Sequence, residues 1–254
     1  MPLFYNYSKN NIYCIYNYTN CIVKSFIPPN TPECRNWADT LLASSQHMAL
    51  IDAAKTFQHY QRGQILFREG DHAAGLYSVS SGHFKVTKVG GDGKEQIIRL
   101  AKAGDIMGYR GLLAGSGHIA NALALDEAEV CFIPKSVFFQ LIEHNHGFAT
   151  SLMKLMANEL AETEERMLHL AYKPVRERLA EALLLLLRVY QQPPDAPPSF
   201  TISRDDLAAL VGTVRETASR FMAELKAEGV LSTKGSSITI LDIRRLIEIS
   251  TLYD

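Results

Sequence analysis

Three textures of hydrophobic and polar positions follow one another along this chain. From Phe57 to about Pro134 apolar residues alternate with polar ones in short runs: Gln64-Ile-Leu-Phe67, Gly75-Leu-Tyr-Ser-Val79, His83-Phe-Lys-Val-Thr-Lys-Val89, Glu95-Gln-Ile-Ile-Arg-Leu100 and Ala128-Glu-Val-Cys-Phe-Ile133. Most are bounded by turn residues such as Glu69-Gly70-Asp71, Ser81-Gly82 and Gly104-Asp105. A period near two predicts strands, and Gly90-Gly91-Asp92-Gly93 predicts a hairpin loop. Many short strands at regular spacing predict an antiparallel roll or barrel.

From Ser136 the period becomes helical. Leu152, Met156, Leu160, Thr163, Met167 and Leu170 recur every three or four residues, interleaved with Glu159, Glu162, Glu164, Glu165 and Arg166. A seam this narrow suits a parallel coiled-coil partner; the alternative is that it packs on the chain's own β-roll. Lys173-Pro174 ends this helix, and Pro174 suits the first turn of another that reaches about Tyr190. Residues 191–199, with four prolines, read as a linker or extended loop.

The third texture is two short helical patterns separated by one glycine. Ser203 is a suitable N-cap for a helix carrying Leu207, Leu210 and Val211. Gly212 interrupts it, and Thr213 with Glu216 reads as a capping box opening a second helix that runs to about Glu228, where Gly229 supplies the stop. Helix, tight turn, helix is the helix-turn-helix arrangement. At about 100° per residue, Val214, Ala218, Phe221 and Leu225 share one packed face. Arg215, Glu216, Ser219 and Arg220 spread over the other side, where arginine can read guanine, glutamate a cytosine amino group, and serine either. A solvated amphipathic helix with a Glu216–Arg220 pair is the bland alternative. Residues 230–234 and 237–241, on either side of Gly235, read as a two-stranded wing.

The predicted fold is therefore α+β: an N-terminal antiparallel β-roll, a long dimerisation helix, and a C-terminal winged helix-turn-helix. The predicted boundaries are an extension over 1–33, a sensor roll over 34–147, the long helix over 148–171 and the DNA-binding domain over 172–254. Residues 1 to about 30 hold five of the eleven tyrosines, with much Asn, Ile and Lys and no period. They read as a disordered extension or as a start placed too far upstream.

Bulk composition adds little that favours nucleic acid. The formal net charge is −1, and from Thr201 onward seven Lys/Arg stand against eight Asp/Glu. Phosphate affinity must come from local placement and helix N-termini. No apolar run reaches the roughly 18 residues of a membrane span, and no signal peptide opens the chain, so a cytoplasmic protein without membrane contact is expected. There is no phosphate-binding loop and no kinase signature. An enzyme is not expected.

These residues resemble the CRP/FNR family of bacterial transcription regulators. The resemblance covers about 34–249 and lies in the roll glycines of Phe67-Arg-Glu-Gly70-Asp71, Ser81-Gly82 and Ala103-Gly-Asp-Ile-Met-Gly108. It continues in Val175-Arg-Glu-Arg-Leu-Ala180 and in Glu216-Thr-x-Ser219-Arg220. It implies a homodimer that binds double-stranded DNA at an inverted repeat with a TGA core, with RNA polymerase as a further partner. Glu216 and Arg220 match the residues that contact that core. Ser219 matches the oxygen-sensor branch, while Arg215 matches the cyclic-AMP branch, so the outer half-site base stays open. The DNA-contact set is Ser203, Thr213, Arg215, Glu216, Thr217, Ser219, Arg220 and, on the wing, Lys234.

For the effector, the stretch corresponding to a cyclic-nucleotide pocket supplies Gly108, Tyr109, Arg110, Gly111, His118 and Asn121. Tyr109 stands where the resemblance implies a ribose-binding glutamate, and Ile119 or Ala120 where it implies the phosphate-binding arginine. The oxygen-sensor branch instead implies an iron–sulfur cluster. Cys131 matches its roll cysteine, but Cys14, Cys21 and Cys34 lack the family's spacing, leaving Cys34 and Cys131 as marginal ligands. His83, His118 and His169 show no metal-ligand spacing. No cofactor is assigned, and the effector is unidentified. The alternatives are a redox- or iron–sulfur-sensing regulator of the oxygen-sensor type, and a cyclic-nucleotide-binding module that does not bind DNA.

Overall fold

The computed structural model describes residues 45–191 and 196–251. The expected extension and Cys14, Cys21 and Cys34 lie outside the described residues. Helix α1 (Ser45–Ala54) leads into strands β1 (Thr56–Tyr60), β2 (Ile65–Phe67), β3 (Gly75–Ser81), β4 (His83–Val89), β5 (Glu95–Lys102) and β6 (Ile106–Met107). Helix α2 (Tyr109–Ala114), β7 (Asn121–Ala124) and β8 (Ala128–Pro134) complete the roll. Its strands form two antiparallel sheets, ordered β1-β8-β3-β6 and β2-β7-β4-β5. Alternation sends one side of each strand inward, so Phe67, Val79, Phe84, Ala101, Met107 and Val130 meet in one cluster. The glycine loop forms the predicted hairpin between β4 and β5, with Gly90 N–H donating to Lys94 O at 2.8 Å.

Helix α3 (Lys135–His144) is followed at once by α4 (His146–Tyr172), which Asn145 caps through its side chain at Phe148 N–H. Phe148 and Leu152 anchor the start of α4 in a core with Leu76, Ile133 and Phe138. Beyond that the predicted seam divides. Leu152 packs on the roll, whereas Met156, Leu160 and Met167 point outward, Leu160 being 60% and Met167 63% exposed.

Helix α5 (Val175–Val189) starts after Pro174, and β9 (Ser199–Thr201), α6 (Arg204–Val211), α7 (Arg215–Ala227), β10 (Leu231–Lys234), β11 (Ser237–Ile240) and α8 (Ile243–Ser250) follow. The wing differs from the expected pair of strands. Ser199–Thr201 extends it to a third strand paired with β11, because Phe200 is drawn into the core beside Leu207 and Ile238. That core does not stop at the domain edge. Ile97 and Leu100 of β5 belong to the same buried cluster as Leu183, Leu207 and Leu225. Full burial of an isoleucine contributes about 2 kcal/mol, so the C-terminal helix-turn-helix domain is seated on the roll by apolar contact.

Candidate nucleic-acid interface

Ser203 caps α6 as its sequence predicts, with its Oγ accepting from Asp206 N–H at 2.9 Å. Asp205 and Asp206 in the first turn complement the helix dipole. Gly212 closes α6 in the left-handed region at φ 73. Its N–H and that of Thr213 both donate to Ala208 O, so Thr213 is consumed in ending α6.

The predicted capping box at Thr213 is therefore not formed. Val214, in extended backbone, is the N-cap of α7 and offers no side-chain cap. The packed face also differs from the expected one. Ala218, Met222 and Leu225 are buried, whereas Val214 is 45% exposed and Phe221 is only partly covered, the Arg220 guanidinium lying 4.9 Å from its ring centroid. Residues 218, 222 and 225, at spacings of four and three, make the inward stripe.

Arg215, Glu216 and Arg220 all project from the outer side of α7 as exposed side chains. Thr213, Thr217 and Ser219 are half-buried between that side and the core, and Ser203 is half-buried at the α6 cap. Lys234 is exposed at the end of β10, beside the Gly235 turn, on an element separate from α7. Arg215 Nη1 pairs with Asp205 Oδ2 at 3.3 Å between two exposed side chains. Such a pair is weak in water and can be exchanged for a phosphate or a guanine. The uncapped first turn of α7 presents N–H groups suited to a phosphate oxygen.

The sequence assigned no role to the residues that hold α7 in place. Arg176 on α5 pairs with both oxygens of Glu228 at 2.6 and 2.7 Å, fastening the C-terminal end of α7. On the other side, an open cleft of about 400 Å³ separates hairpin residues Gly90 and Lys94 from Gly212 and Val214. Lys85 of β4 spans the domains there, pairing with Glu95 at 2.6 Å and Asp206 at 2.7 Å. Nothing local in the sequence marks the Arg176–Glu228 and Lys85–Asp206 pairs, whose members are 52 and 121 positions apart.

The residues predicted for an effector pocket largely serve the roll's own turns. Gly108 sits at φ 87, and a Cβ there would lie 3.0 Å from Gly75 O. A Cβ at Gly111 would lie 2.5 Å from Gly117 O. His118 N–H donates to Asp71 O at 2.9 Å, and its ring stacks on Phe67 with centroids 3.9 Å apart. Asn121 Oδ1 accepts from Glu69 N–H at 3.0 Å. Arg110 is exposed.

Tyr109 is different. It is buried, and its hydroxyl donates to Glu159 of α4, which also pairs with Arg99 of β5 at 2.8 Å. Burial, reinforced by the Glu159 carboxylate, pushes the Tyr109 phenol well above its ordinary range, although the Arg99 charge opposes this. These residues do not fit a cyclic nucleotide: Tyr109 is buried against Glu159, the nearby Arg99 is committed to the same carboxylate, and that carboxylate would repel a phosphate. Among the described residues no group of three His, Cys, Asp or Glu could hold a metal, and Cys131 is buried in β8 with its thiol pushed up by burial.

Comparison with known proteins agrees with the roll and helix-turn-helix architecture. Residues 57–145 match the cyclic nucleotide-binding domain family, and residues 177–249 match the Crp-like helix-turn-helix domain family. The chain is 34% identical over 192 residues to the fumarate and nitrate reduction regulatory protein of Vibrio cholerae, covering 75% of this chain and 76% of that protein. It is 33% identical over 192 residues to the anaerobic regulatory protein of Pasteurella multocida, covering 75% and 70%. The structure of FixK2 from Bradyrhizobium japonicum superposes with a TM-score of 0.69 at 27% identity, covering 77% of this chain and 97% of that one.

Proposed function

This chain belongs to the CRP/FNR family of transcription regulators, and we propose that it acts as a homodimer reading an inverted repeat with a TGA core. As a family member it is a DNA-binding regulator with a helix-turn-helix, not an enzyme. Dimerisation is supported by the outward stripe Met156, Leu160 and Met167 on α4, which the described residues leave exposed. Base reading is assigned to Glu216 and Arg220, with Arg215 and Ser219 setting the outer base. Thr213, Thr217, Ser203 and Lys234 would serve phosphate contacts. The observation that carries this reading is the joint exposure of Arg215, Glu216 and Arg220 on one helix whose opposite side buries Ala218, Met222 and Leu225. Gel shifts on TGA palindromes against scrambled sites test it, and equal binding to both would overturn it. RNA polymerase is the further partner such a regulator needs, and the chain has no described helix long and apolar enough to cross a membrane.

Control is assigned to the roll, through the Tyr109–Glu159–Arg99 link to α4, by a signal other than a cyclic nucleotide. The names of the relatives, which refer to anaerobic regulation and to fumarate and nitrate reduction, favour a redox signal as the second reading. The visible spectrum of protein purified without oxygen separates the two. Cluster absorbance supports a redox centre, whereas a colourless protein that binds DNA without additions removes it.

A further inference from the structure

Arg178 belongs to α5, yet both hydrogen bonds from its guanidinium leave that helix. Nη1 donates to Leu170 O at 2.8 Å, near the end of α4, and Nη2 donates to Gly212 O at 3.3 Å, in the turn before α7. Leu170 O is among the final carbonyls that a helix leaves without an internal partner. A planar guanidinium holds two acceptors in a fixed relation, which an ammonium cannot do. The same two places also touch by packing. A Cβ on Gly212 would lie 2.7 Å from Leu170 Cδ2.

We propose that Arg178 is a positioning residue for DNA reading: it locks the turn before the recognition helix to the end of the helix through which two copies pair. The inference rests on the dimeric, palindrome-reading function above. In such a dimer the two copies of α7 must enter successive major grooves about 34 Å apart. Each is placed by the path from the α4 seam through the Leu170–Arg178–Gly212 junction. Slack at that junction becomes slack in the separation and phase of the two reading helices. Arg176 makes a useful contrast, because its bonds to Glu224 and Glu228 run from α5 to α7 within one domain and do not reach α4.

The test compares the parent with Arg178→Gln, Arg178→Lys and Arg176→Gln on TGA palindromes whose central spacer is lengthened or shortened by one and two base pairs. Binding is read by fluorescence anisotropy, with sedimentation and thermal melting run on every variant. The parent should show one preferred spacing and lose at least about tenfold in affinity one base pair away from it. Arg178→Gln should remain a dimer and still prefer TGA over scrambled half-sites. Its spacing penalty should shrink below about threefold, while its affinity at the preferred spacing falls about tenfold. Arg178→Lys, which reaches one carbonyl, should fall between, and Arg176→Gln should keep the parent's spacing penalty. An undiminished penalty in Arg178→Gln overturns the inference. If Arg178→Gln fails to fold, Arg178→Lys decides in the same way. A parent that binds no palindrome better than scrambled DNA overturns the proposed function itself, and shows it in the parent rather than in the variants.

Discussion

Lys85 of β4 and Asp206 of α6, 121 positions apart in sequence, meet at 2.7 Å across the boundary between the roll and the DNA-binding domain. Asp206 is at the same time part of the α6 cap, with Ser203 Oγ donating to its carboxylate at 2.6 Å. One carboxylate therefore serves both a helix start and a domain contact. Burial pushes the Lys85 ammonium down, but its hydrogen bonds to Asp206 and Glu95 and their charges outweigh that, and the net direction is up from its ordinary 10.5.

Replacing Lys85 by Met should destabilise the seating of the domain by about 1–3 kcal/mol, since Asp206 keeps its partial burial and loses its countercharge. Hydrogen exchange should rise in both β5 and α6. For a base whose folded pKa is raised, the stabilisation is complete below the unfolded value and disappears only as pH climbs through the folded one. The difference in melting temperature between parent and variant should then be the same at pH 6 and pH 9. A difference that shrinks over that range would show that the ammonium is not the stabilising group.

His118 predicts acid sensitivity of the roll. It is 4% exposed, its Nε2 is buried without a hydrogen-bond partner, and burial pushes its pKa down from 6.5, opposed by Asp71 and aided by His72. The folded state keeps the ring neutral while the unfolded chain takes up a proton first, so stability is complete above 6.5 and falls as pH drops below it. His118→Phe preserves the stack on Phe67 and removes the titration. Between pH 7 and pH 5 the parent's Tm should fall further than the variant's, and parallel curves would refute the assignment.

Glu216→Ala and Arg220→Ala should each cost about 1–3 kcal/mol at one base position per half-site, while leaving binding to unrelated DNA nearly unchanged. Competition against single-base variants of the TGA core measures this. Uniform weakening on every sequence would make these residues phosphate contacts instead. In Lys234→Ala, by contrast, weakening should be uniform and the salt dependence of binding should drop by about one unit of slope.

Leu160→Glu tests pairing without disturbing the fold. Leu160 is 60% exposed in the single chain, so the substitution should change monomer stability by less than about 0.5 kcal/mol. In a dimer it would place two carboxylates in a buried seam. Sedimentation should report a monomer with an unchanged circular dichroism spectrum and no cooperative binding to a palindrome. A variant that sediments as a dimer would place the interface elsewhere.

Much of this architecture was legible in the chain because its signals are local. The alternation from Phe57 to Pro134, the Gly90–Gly93 hairpin, the cap at Ser203 and the glycine at 212 act over a few residues, and backbone geometry enforces them wherever they occur. The α+β order of roll, long helix and winged helix follows from that string of local signals. The miss at Thr213 shows their limit. Capping chemistry suited that residue, but the turn at Gly212 used its N–H first, and the inward face of α7 centres on Met222 rather than Phe221 because of what the rest of the domain packs against it.

What depended on the tertiary structure was every relationship that joins distant residues. Nothing in the spacing of Leu152, Met156, Leu160 and Met167 reveals that the first is buried by its own roll while the others are left bare. Nor does the run Glu95–Lys102 disclose that Ile97 and Leu100 belong to the core of another domain. Tyr109 could be read as a missing glutamate, but only the packing brings it to Glu159. Arg178 stood in a recognised motif, yet its partners on Leu170 and Gly212 exist only once three helices converge. Period and propensity are set by neighbours along the chain. Which faces meet is set by burial and charge pairing across it, and that is decided when the whole chain folds.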